Sequence, residues 1–327
     1  MTTLTRNDWE RDRTFHHSAF PIERVAVERD ASISVCLPAR NEAATIGAIL
    51  DDLMPLVGAG VVDQVVVVDD SDDGTADIAR DHGAEVHSQS ELCAGLGPVQ
   101  GKGDAMWRAL SVLWGDVVCF LDADSRSFGP HYATALAGVV ASPGPVSFAK
   151  GFYRRPFESG DGLTTDPHGG GRVTELCARP LLGELYPDLT GFRQPLAGEI
   201  AARRELLTSI PFLCGYSVDV ALLIDVWSLV GLGGMAQVDL DVRQNRHRPM
   251  SDLGPMAAAV AGAILERARG EGRLRDGSRR PSSADTSPRL PILERPPMRE
   301  WMRESEILLG VSWRGSRCRP GRLYRRR

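Results

Sequence analysis

No C-x-x-C pair occurs in this chain; its six cysteines, Cys36, Cys93, Cys119, Cys177, Cys214 and Cys318, are scattered. That spacing excludes the common thiolate zinc sites and offers no disulfide framework, and several of these cysteines lie in apolar runs as small hydrophobes do. No apolar run approaches the roughly 18 residues that a membrane span needs. The N-terminus places Asp8, Glu10, Arg11 and Asp12 where a signal peptide would have a basic stretch followed by an apolar one. Together these absences lead us to expect a cytoplasmic protein with reduced thiols. A net positive charge is also lacking over most of the chain. Residues 271–327 hold 15 Arg against 7 Asp or Glu while the net charge is −5, so the body is strongly acidic, which argues against nucleic acid as the main partner.

What is present is the make-up of an ordinary globular protein, 327 residues with 43% hydrophobic and 25% charged, enough for one large domain or one and a half. The first half alternates strand and helix patterns: strands at 33–37, 64–68 and 117–121 with a short one at 85–87, and helices at 43–56, 75–82 and 103–113. Three buried strands in this order predict an α/β fold with a doubly wound, mostly parallel sheet. The run Val117 to Leu121 stops on Asp122-Ala123-Asp124. Ligands of such sheets collect beyond the carboxyl ends of the strands, and two aspartates one residue apart suit a hard divalent cation that keeps one or two carboxylates and takes substrate phosphates at its other positions. The other strand ends should converge on the same crevice. Backbone at Pro38 and Ala39 could hold a base or ribose beside Arg40 and Glu42, and Asp69 and Asp70 could accept hydrogen bonds from ribose or a uracil-like group. Lys102, between Gly101 and Gly103 at a helix start, would offset the repulsion between these acids and a diphosphate.

The second half reads as strands at 147–153 and 235–242 and helices at 172–185, 218–230 and 256–267. Gly169-Gly170-Gly171-Arg172-Val173-Thr174 opens a helix with free amides and an arginine able to grip a phosphate or carboxylate, a second anion site that Lys150, Arg154 and Arg155 could enlarge. Two anion sites imply a donor and an acceptor. After the strand 235–242, period two puts Arg243, Asn245 and His247 on one face, where His247 could complete a metal site with Asp124. Four segments result: an N-terminal arm (1–30), a nucleotide-binding part (31–150), an acceptor-binding part (151–270), and an Arg- and Pro-rich tail (271–327) expected to be largely disordered.

The strings Gly101-Lys102-Gly103-Asp104-Ala105-Met106-Trp107, Phe152-Tyr153-Arg154-Arg155-Pro156 and Gly169-Gly170-Gly171-Arg172-Val173-Thr174-Glu175, with Glu294-Arg295-Pro296-Pro297-Met298 further on, resemble the retaining glucosyl-3-phosphoglycerate synthases of actinobacteria and the related mannosyl-3-phosphoglycerate synthases. The resemblance covers roughly residues 32–270. It implies the GT-A fold, a homodimer, UDP-glucose or GDP-mannose as donor, D-3-phosphoglycerate as acceptor, and Mg2+ or Mn2+ as cofactor. It also implies residue roles. Pro38, Ala39, Glu42, Asp70 and Lys102 would hold the nucleotide diphosphate sugar, with Asp122, Ala123 and Asp124 at ribose and metal. Gly170, Gly171, Arg172 and Thr174 would hold the phosphoglycerate, and Tyr216, Asp219 and Arg243 would lie near sugar or acceptor. The chemistry expected of Asp124, Asp219, Arg243 and Lys102 is electrostatic and positional. Three departures stand out: Asp219 replaces a frequent Glu, the family's metal-binding histidine falls on Asn245 with His247 two residues later, and the acidic loop after Asp69 is one residue short. A nucleotidyltransferase would want a glycine-rich basic loop after the first strand, which Pro38-Ala39-Arg40-Asn41-Glu42 is not. A non-catalytic nucleotide-sugar-binding protein is the other rival.

Overall fold

The computed structural model describes residues 4–155, 157–158, 165–166, 171–243, 250–274 and 292–309. Its centre is an eight-stranded sheet of β1 (Thr14–His16), β2 (Ile33–Ala39), β3 (Gln64–Asp69), β4 (Glu85–Ser88), β5 (Val117–Phe120), β6 (Phe148–Arg154), β7 (Ile200–Arg203) and β8 (Met235–Val242). The spatial order is β1-β8-β6-β7-β5-β2-β3-β4. Every pairing is parallel except the two made by β7, which runs antiparallel between β5 and β6. The expected mostly parallel sheet is what forms. Strand order reverses between β2 and β5, and the carboxyl ends of those strands carry Pro38-Ala39 and Asp122-Ala123-Asp124, the place where such sheets bind ligands.

Apolar residues on successive positions of a buried strand feed opposite faces. Val35, Leu37, Val65 and Val67 pack on one side with helices Ile46–Gly58 and His131–Ala141. Cys36, Val66, Val68 and Phe120 pack on the other with helices Lys102–Ala109 and Val218–Val230. Both faces are covered, which is why the strands read as unbroken valine-rich runs rather than as alternating ones.

Several local features differ from expectation. The helix His131–Ala141 carries no polar face, since residues 132–141 are all buried, and so it lacks the 3.6-residue periodicity that marks a surface helix. β7 is only four residues long. The helix expected over 172–185 is divided: a π-type turn spans Thr174–Ala178, where the Arg179 amide donates to the Thr174 carbonyl, before helix Arg179–Leu185. Pro180 has no amide to continue an α-helical ladder back to residue 176, so the break falls where proline is tolerated, in a first turn. The N-terminal arm is part of the sheet layer. Helix Arg6–Asp12 buries Trp9, whose indole donates to the Met235 carbonyl at 2.7 Å, and β1 pairs in parallel with β8. In the expected tail, Glu294–Arg295 pairs antiparallel with Phe212–Leu213 and is followed by helix Met298–Leu309. These residues are held because Arg295 and Pro296 are tied to helix Lys102–Ala109, as described next, and Met298 is buried in the core.

Candidate active site

Helix Lys102–Ala109 is buried from Gly103 to Ala109, and its sequence is dictated by what surrounds it. Gly101 has φ +90°, a left-handed value that favours glycine. At Gly103 an added Cβ would fall 1.9 Å from the Leu213 carbonyl oxygen, so only glycine lets the helix lie against that strand. Asp104, fully buried, accepts two hydrogen bonds from Arg295 (2.7 and 2.9 Å) and one from Arg108 (3.3 Å). Trp107 donates to the Pro296 carbonyl at 2.7 Å. Removing one partner from a buried charge cluster of this kind costs about 3–5 kcal/mol. The strings around Lys102 and Arg295 are thus two halves of one clamp, and the clamp aims Lys102.

Lys102 Nζ lies 2.8 Å from Asp122 Oδ1 and 3.3 Å from Asp219, which sits in the first turn of helix Val218–Val230. Arg243, wholly buried just beyond β8, completes the cluster from the other side. Its Nη2 donates to Asp124 Oδ1 at 2.6 Å and Asp122 Oδ2 at 3.1 Å, while its Nη1 donates to the Tyr153 hydroxyl at 2.8 Å and to Glu199. Gly198 makes room: an added Cβ there would meet Lys102 Nζ at 2.3 Å and both Asp122 oxygens at 2.5 Å.

The electrostatics follow from these contacts. Burial would raise the Asp122 carboxyl, but Lys102 and Arg243 outweigh it and hold Asp122 below the usual carboxylate range. Burial likewise opposes the Lys102 ammonium, yet Asp122 and Asp219 keep it above the ordinary lysine value. Asp219 is raised because burial exceeds the help from Lys102 and Lys150. Burial raises Glu199 too, with Arg243 pulling the other way; both its oxygens accept hydrogen bonds, from Arg243 and from the Tyr153 hydroxyl at 3.0 Å, the geometry of an ionised carboxylate.

The cluster opens on a cavity of about 750 Å³, well within the range of small-molecule sites. Pro38, Ala39, Arg40, Glu42 and Asp70 line it from the ends of β2 and β3; Ala123 and Asp124 line it from the end of β5. Gly171, Arg172 and Thr174 line it from the turn that leads into residues 174–178, and Tyr216 and Asp219 from the start of helix Val218–Val230. Gly171 has φ +79°, which suits the glycine run. As a holder of a divalent cation, the acidic pair fits by chemistry: hard oxygen donors beside a cavity large enough for a phosphorylated ligand. Asp122 is taken up by two cationic side chains, whereas the Asp124 side chain is 50% exposed toward the cavity, so Asp124 is the better placed of the two. Among the described residues no group of three His, Cys, Asp or Glu side chains converges, so further ligands would have to come from phosphate oxygens or from residues not described. Asn245, His247 and Gly170 lie outside the described residues.

Glu42 provides a measurable handle. Partial burial, then the charge of Asp124, push its carboxyl up to about 7. A raised carboxyl pKa means that the proton is held in the folded state, so Glu42 would repel an anionic ligand in the cavity above pH 7 and stop doing so below it. Affinity for a nucleoside diphosphate measured without divalent cation is expected to rise severalfold from pH 8 to pH 6, and Glu42→Gln should flatten that profile at the tighter level. A profile of equal slope in Glu42→Gln would remove Glu42 from the donor site.

The Glycosyl transferase family 2 model matches residues 34–166. Glucosyl-3-phosphoglycerate synthase of Mycolicibacterium paratuberculosis is 42% identical over 268 residues, 81% of either chain. The crystal structure of mannosyl-3-phosphoglycerate synthase from Rubrobacter xylanophilus superposes with a TM-score of 0.81 at 45% identity, covering 90% of this chain and 99% of that one. The chain belongs to the family of glucosyl- and mannosyl-3-phosphoglycerate synthases. The glucosyl-3-phosphoglycerate synthase of Mycobacterium tuberculosis, solved with Mn2+, UDP-glucose and phosphoglyceric acid, is similar at 39% identity and a TM-score of 0.74, covering 88% of this chain and 98% of that one.

Within this synthase family frame, some expected site residues fall elsewhere. Asp69 is buried in β3 and accepts hydrogen bonds from the Ser71 amide (3.1 Å) and hydroxyl, so it shapes the acidic loop instead of facing the cavity. Asp70 stays at the wall, where its carboxylate also accepts from Ser88 and Ser90. Lys150 does not enlarge an anion site. It is buried in β6, its Nζ donating to the Ala197 carbonyl at 2.7 Å and the Asp219 carbonyl at 3.3 Å, and burial lowers it to about 8. Arg154 pairs with Asp241 across the carboxyl ends of β6 and β8, while Arg155 reaches the Tyr153 hydroxyl at 2.9 Å and does line the cavity. A bulge between Asp239 and Val242, with Asp241 at φ +71°, turns the end of β8 just before Arg243, while Asn245 and His247, expected on its face, lie outside the described residues. Sequence reasoning missed Gly198, Glu199 and the site role of Tyr153. One signal was available: only two of the 38 basic residues are lysines, Lys102 and Lys150, and both donate to residue 219.

Proposed function

We propose that the chain is a retaining glycosyltransferase that moves glucose from UDP-glucose to the single hydroxyl of D-3-phosphoglycerate, giving glucosyl-3-phosphoglycerate. The observation that carries this reading is that the Asp122–Asp124 pair and the Gly171-Arg172-Thr174 turn open on one cavity, an acid-plus-cation site for a diphosphate facing an anion site for a phosphorylated acceptor. The relatives named above support it.

The transferred hexose passes through an oxocarbenium-like state while negative charge grows on the departing diphosphate. Lys102 and Arg243 are already fixed by carboxylates, so their charge stabilises that state without reorganisation. A divalent cation, Mg2+ or Mn2+, would be held by Asp124 with Asp122 behind it and supply Lewis-acid neutralisation of the leaving group. Asp219, buried and paired with Lys102, positions the sugar rather than attacking it. Retention then comes from front-face attack. The bond from the anomeric carbon to the phosphate oxygen breaks, the bond to the acceptor oxygen forms on the same face, and the leaving phosphate oxygen takes the acceptor proton. Arg172 and Thr174 hold the acceptor phosphate through charge-assisted hydrogen bonds.

The test is nucleotide release by the purified chain with D-3-phosphoglycerate, comparing UDP-glucose and GDP-mannose with and without chelator. Acceptor-dependent and metal-dependent release with UDP-glucose is expected, and Arg172→Ala should raise the acceptor KM by about tenfold or more with little change in kcat. An unchanged acceptor KM would sink the acceptor-site assignment. Faster release with GDP-mannose would give the mannosyl reading, which the similarity to the Rubrobacter xylanophilus enzyme favours. Donor binding without any release would make the chain a nucleotide-sugar-binding protein. We place the protein in the cytoplasm. Among the described residues no helix is long and apolar enough to cross a membrane, and the five described cysteines are all free.

A further inference from the structure

Arg243 is held by two opposed sets of partners. On one side are Asp122 and Asp124; on the other are Glu199 and the Tyr153 hydroxyl. The second set is itself built. Glu199 is buried immediately before the antiparallel strand β7, its Oε2 accepting from Tyr153 at 3.0 Å. Gly151 on the neighbouring β6 leaves room for it, since an added Cβ would meet Glu199 Cβ at 3.2 Å and Leu240 Cδ1 at 2.7 Å. Tyr153 is locked in turn by Arg155, and the Arg243 guanidinium carbon sits 5.2 Å from the Tyr153 ring centre. Arg243 Nε is buried without a hydrogen bond, so the side chain is fixed from its two terminal nitrogens alone.

An arginine that donates to Asp124 at 2.6 Å occupies the carboxylate a divalent cation would use. Two like charges cannot share that oxygen without cost, so the guanidinium competes with the cation. The strength of the competition depends on how firmly Arg243 is drawn the other way. We propose that Glu199, supported by Tyr153, is a positioning residue that draws Arg243 back from Asp124 and thereby sets the cation affinity of the acidic pair. Glu199 acts through Arg243 and touches neither donor nor acceptor. This inference rests on the reading that Asp124 faces a divalent cation.

Binding of Mn2+ alone to the full chain, followed by the loss of the free-ion electron paramagnetic resonance signal, tests it without any turnover. Arg243→Met is expected to tighten Mn2+ binding by about tenfold, and Glu199→Gln to weaken it severalfold because the arginine then leans more fully on Asp122 and Asp124. Tyr153→Phe should weaken it by less. Damage to the site in both variants would weaken binding in both, so tightening in Arg243→Met speaks against it. The double variant separates positioning from a through-space charge effect. In the Arg243→Met background, Glu199→Gln should change nothing; continued weakening there would overturn the proposal, as would single variants that stay within twofold of the parent or shift in the same direction. If instead Asp124→Ala binds Mn2+ as the parent does, the failure belongs to the cation reading and not to Glu199.

Discussion

Asp124→Ala is expected to lower kcat by about a thousandfold or more and to abolish Mn2+ binding, with the fold intact. The argument turns on how unequally the two aspartates are placed. Asp122 is engaged by Lys102 and Arg243 and held in its ionised form by them, so it serves as the internal counter-ion of the cluster. Asp124 meets Arg243 as well, but its side chain is half exposed where that of Asp122 is about a quarter exposed, and both line the cavity. Losing Asp124 removes the protein's direct hold on a cation whose charge stabilisation amounts to several kcal/mol, and each 1.36 kcal/mol is a factor of ten in rate. Stability should change little, because the residue is partly solvated and its partner Arg243 keeps Glu199, Tyr153 and Asp122. The check is kcat with saturating Mg2+, Mn2+ titration and a thermal melt on one preparation. Turnover within tenfold of the parent at saturating metal would show that Asp122, or residues in 244–249, hold the cation without Asp124.

Much of this site was legible because its chemistry sits at abrupt changes of pattern. A valine-rich run that ends on Asp-Ala-Asp fixes both a buried strand and the acids at its mouth, and the same holds at Pro38 and Ala39. Arg172 and Thr174 were readable because a glycine run before a helix is a rare composition with one physical use. The residues that stayed hidden have no such marker. Glu199 lies in Leu-Ala-Gly-Glu-Ile, where neither periodicity nor charge pattern signals that a four-residue antiparallel strand will enter between two parallel blocks. Its importance exists only across the sheet, in contact with Arg243 and Tyr153, which are 44 and 46 residues away in sequence. Asp69 failed for the opposite reason. It stands in an acidic loop rich in candidate ligands, but a strand side chain at that register points inward, and Ser71 satisfies it locally. The segment 292–309 was read as tail because Arg and Pro dominate around it; its order comes from partners on helix Lys102–Ala109, Asp104 for Arg295 and Trp107 for the Pro296 carbonyl. Composition records what a segment could bury alone, and this one is anchored by charge pairing to a distant buried aspartate.

Gly198→Ala is expected to reduce kcat by about a hundredfold, although it adds one methyl group to a residue that does no chemistry. The new Cβ would stand 2.3 Å from Lys102 Nζ and 2.5 Å from each Asp122 oxygen, distances at which neither group can remain. Lys102 and Asp122 must separate or move together, and either way the 2.8 Å pair that aims both at the diphosphate is lost. Displacement of reacting groups by about 1 Å costs on the order of a hundredfold in rate. The effect on folding should be much smaller, since both side chains retain a fifth or more of their exposure toward the cavity and can swing into it. Gly144→Ala is the control: nothing lies within 4 Å of a Cβ at that position, so turnover should stay at the parent level. If Gly198→Ala keeps turnover within threefold of the parent, Lys102 does not act through its pairing with Asp122. If it loses turnover together with thermal stability, the glycine is a packing requirement of the fold. Loss of kcat with a parent-like melt is the outcome that identifies Gly198 as the space in which the lysine and the aspartate are held for catalysis.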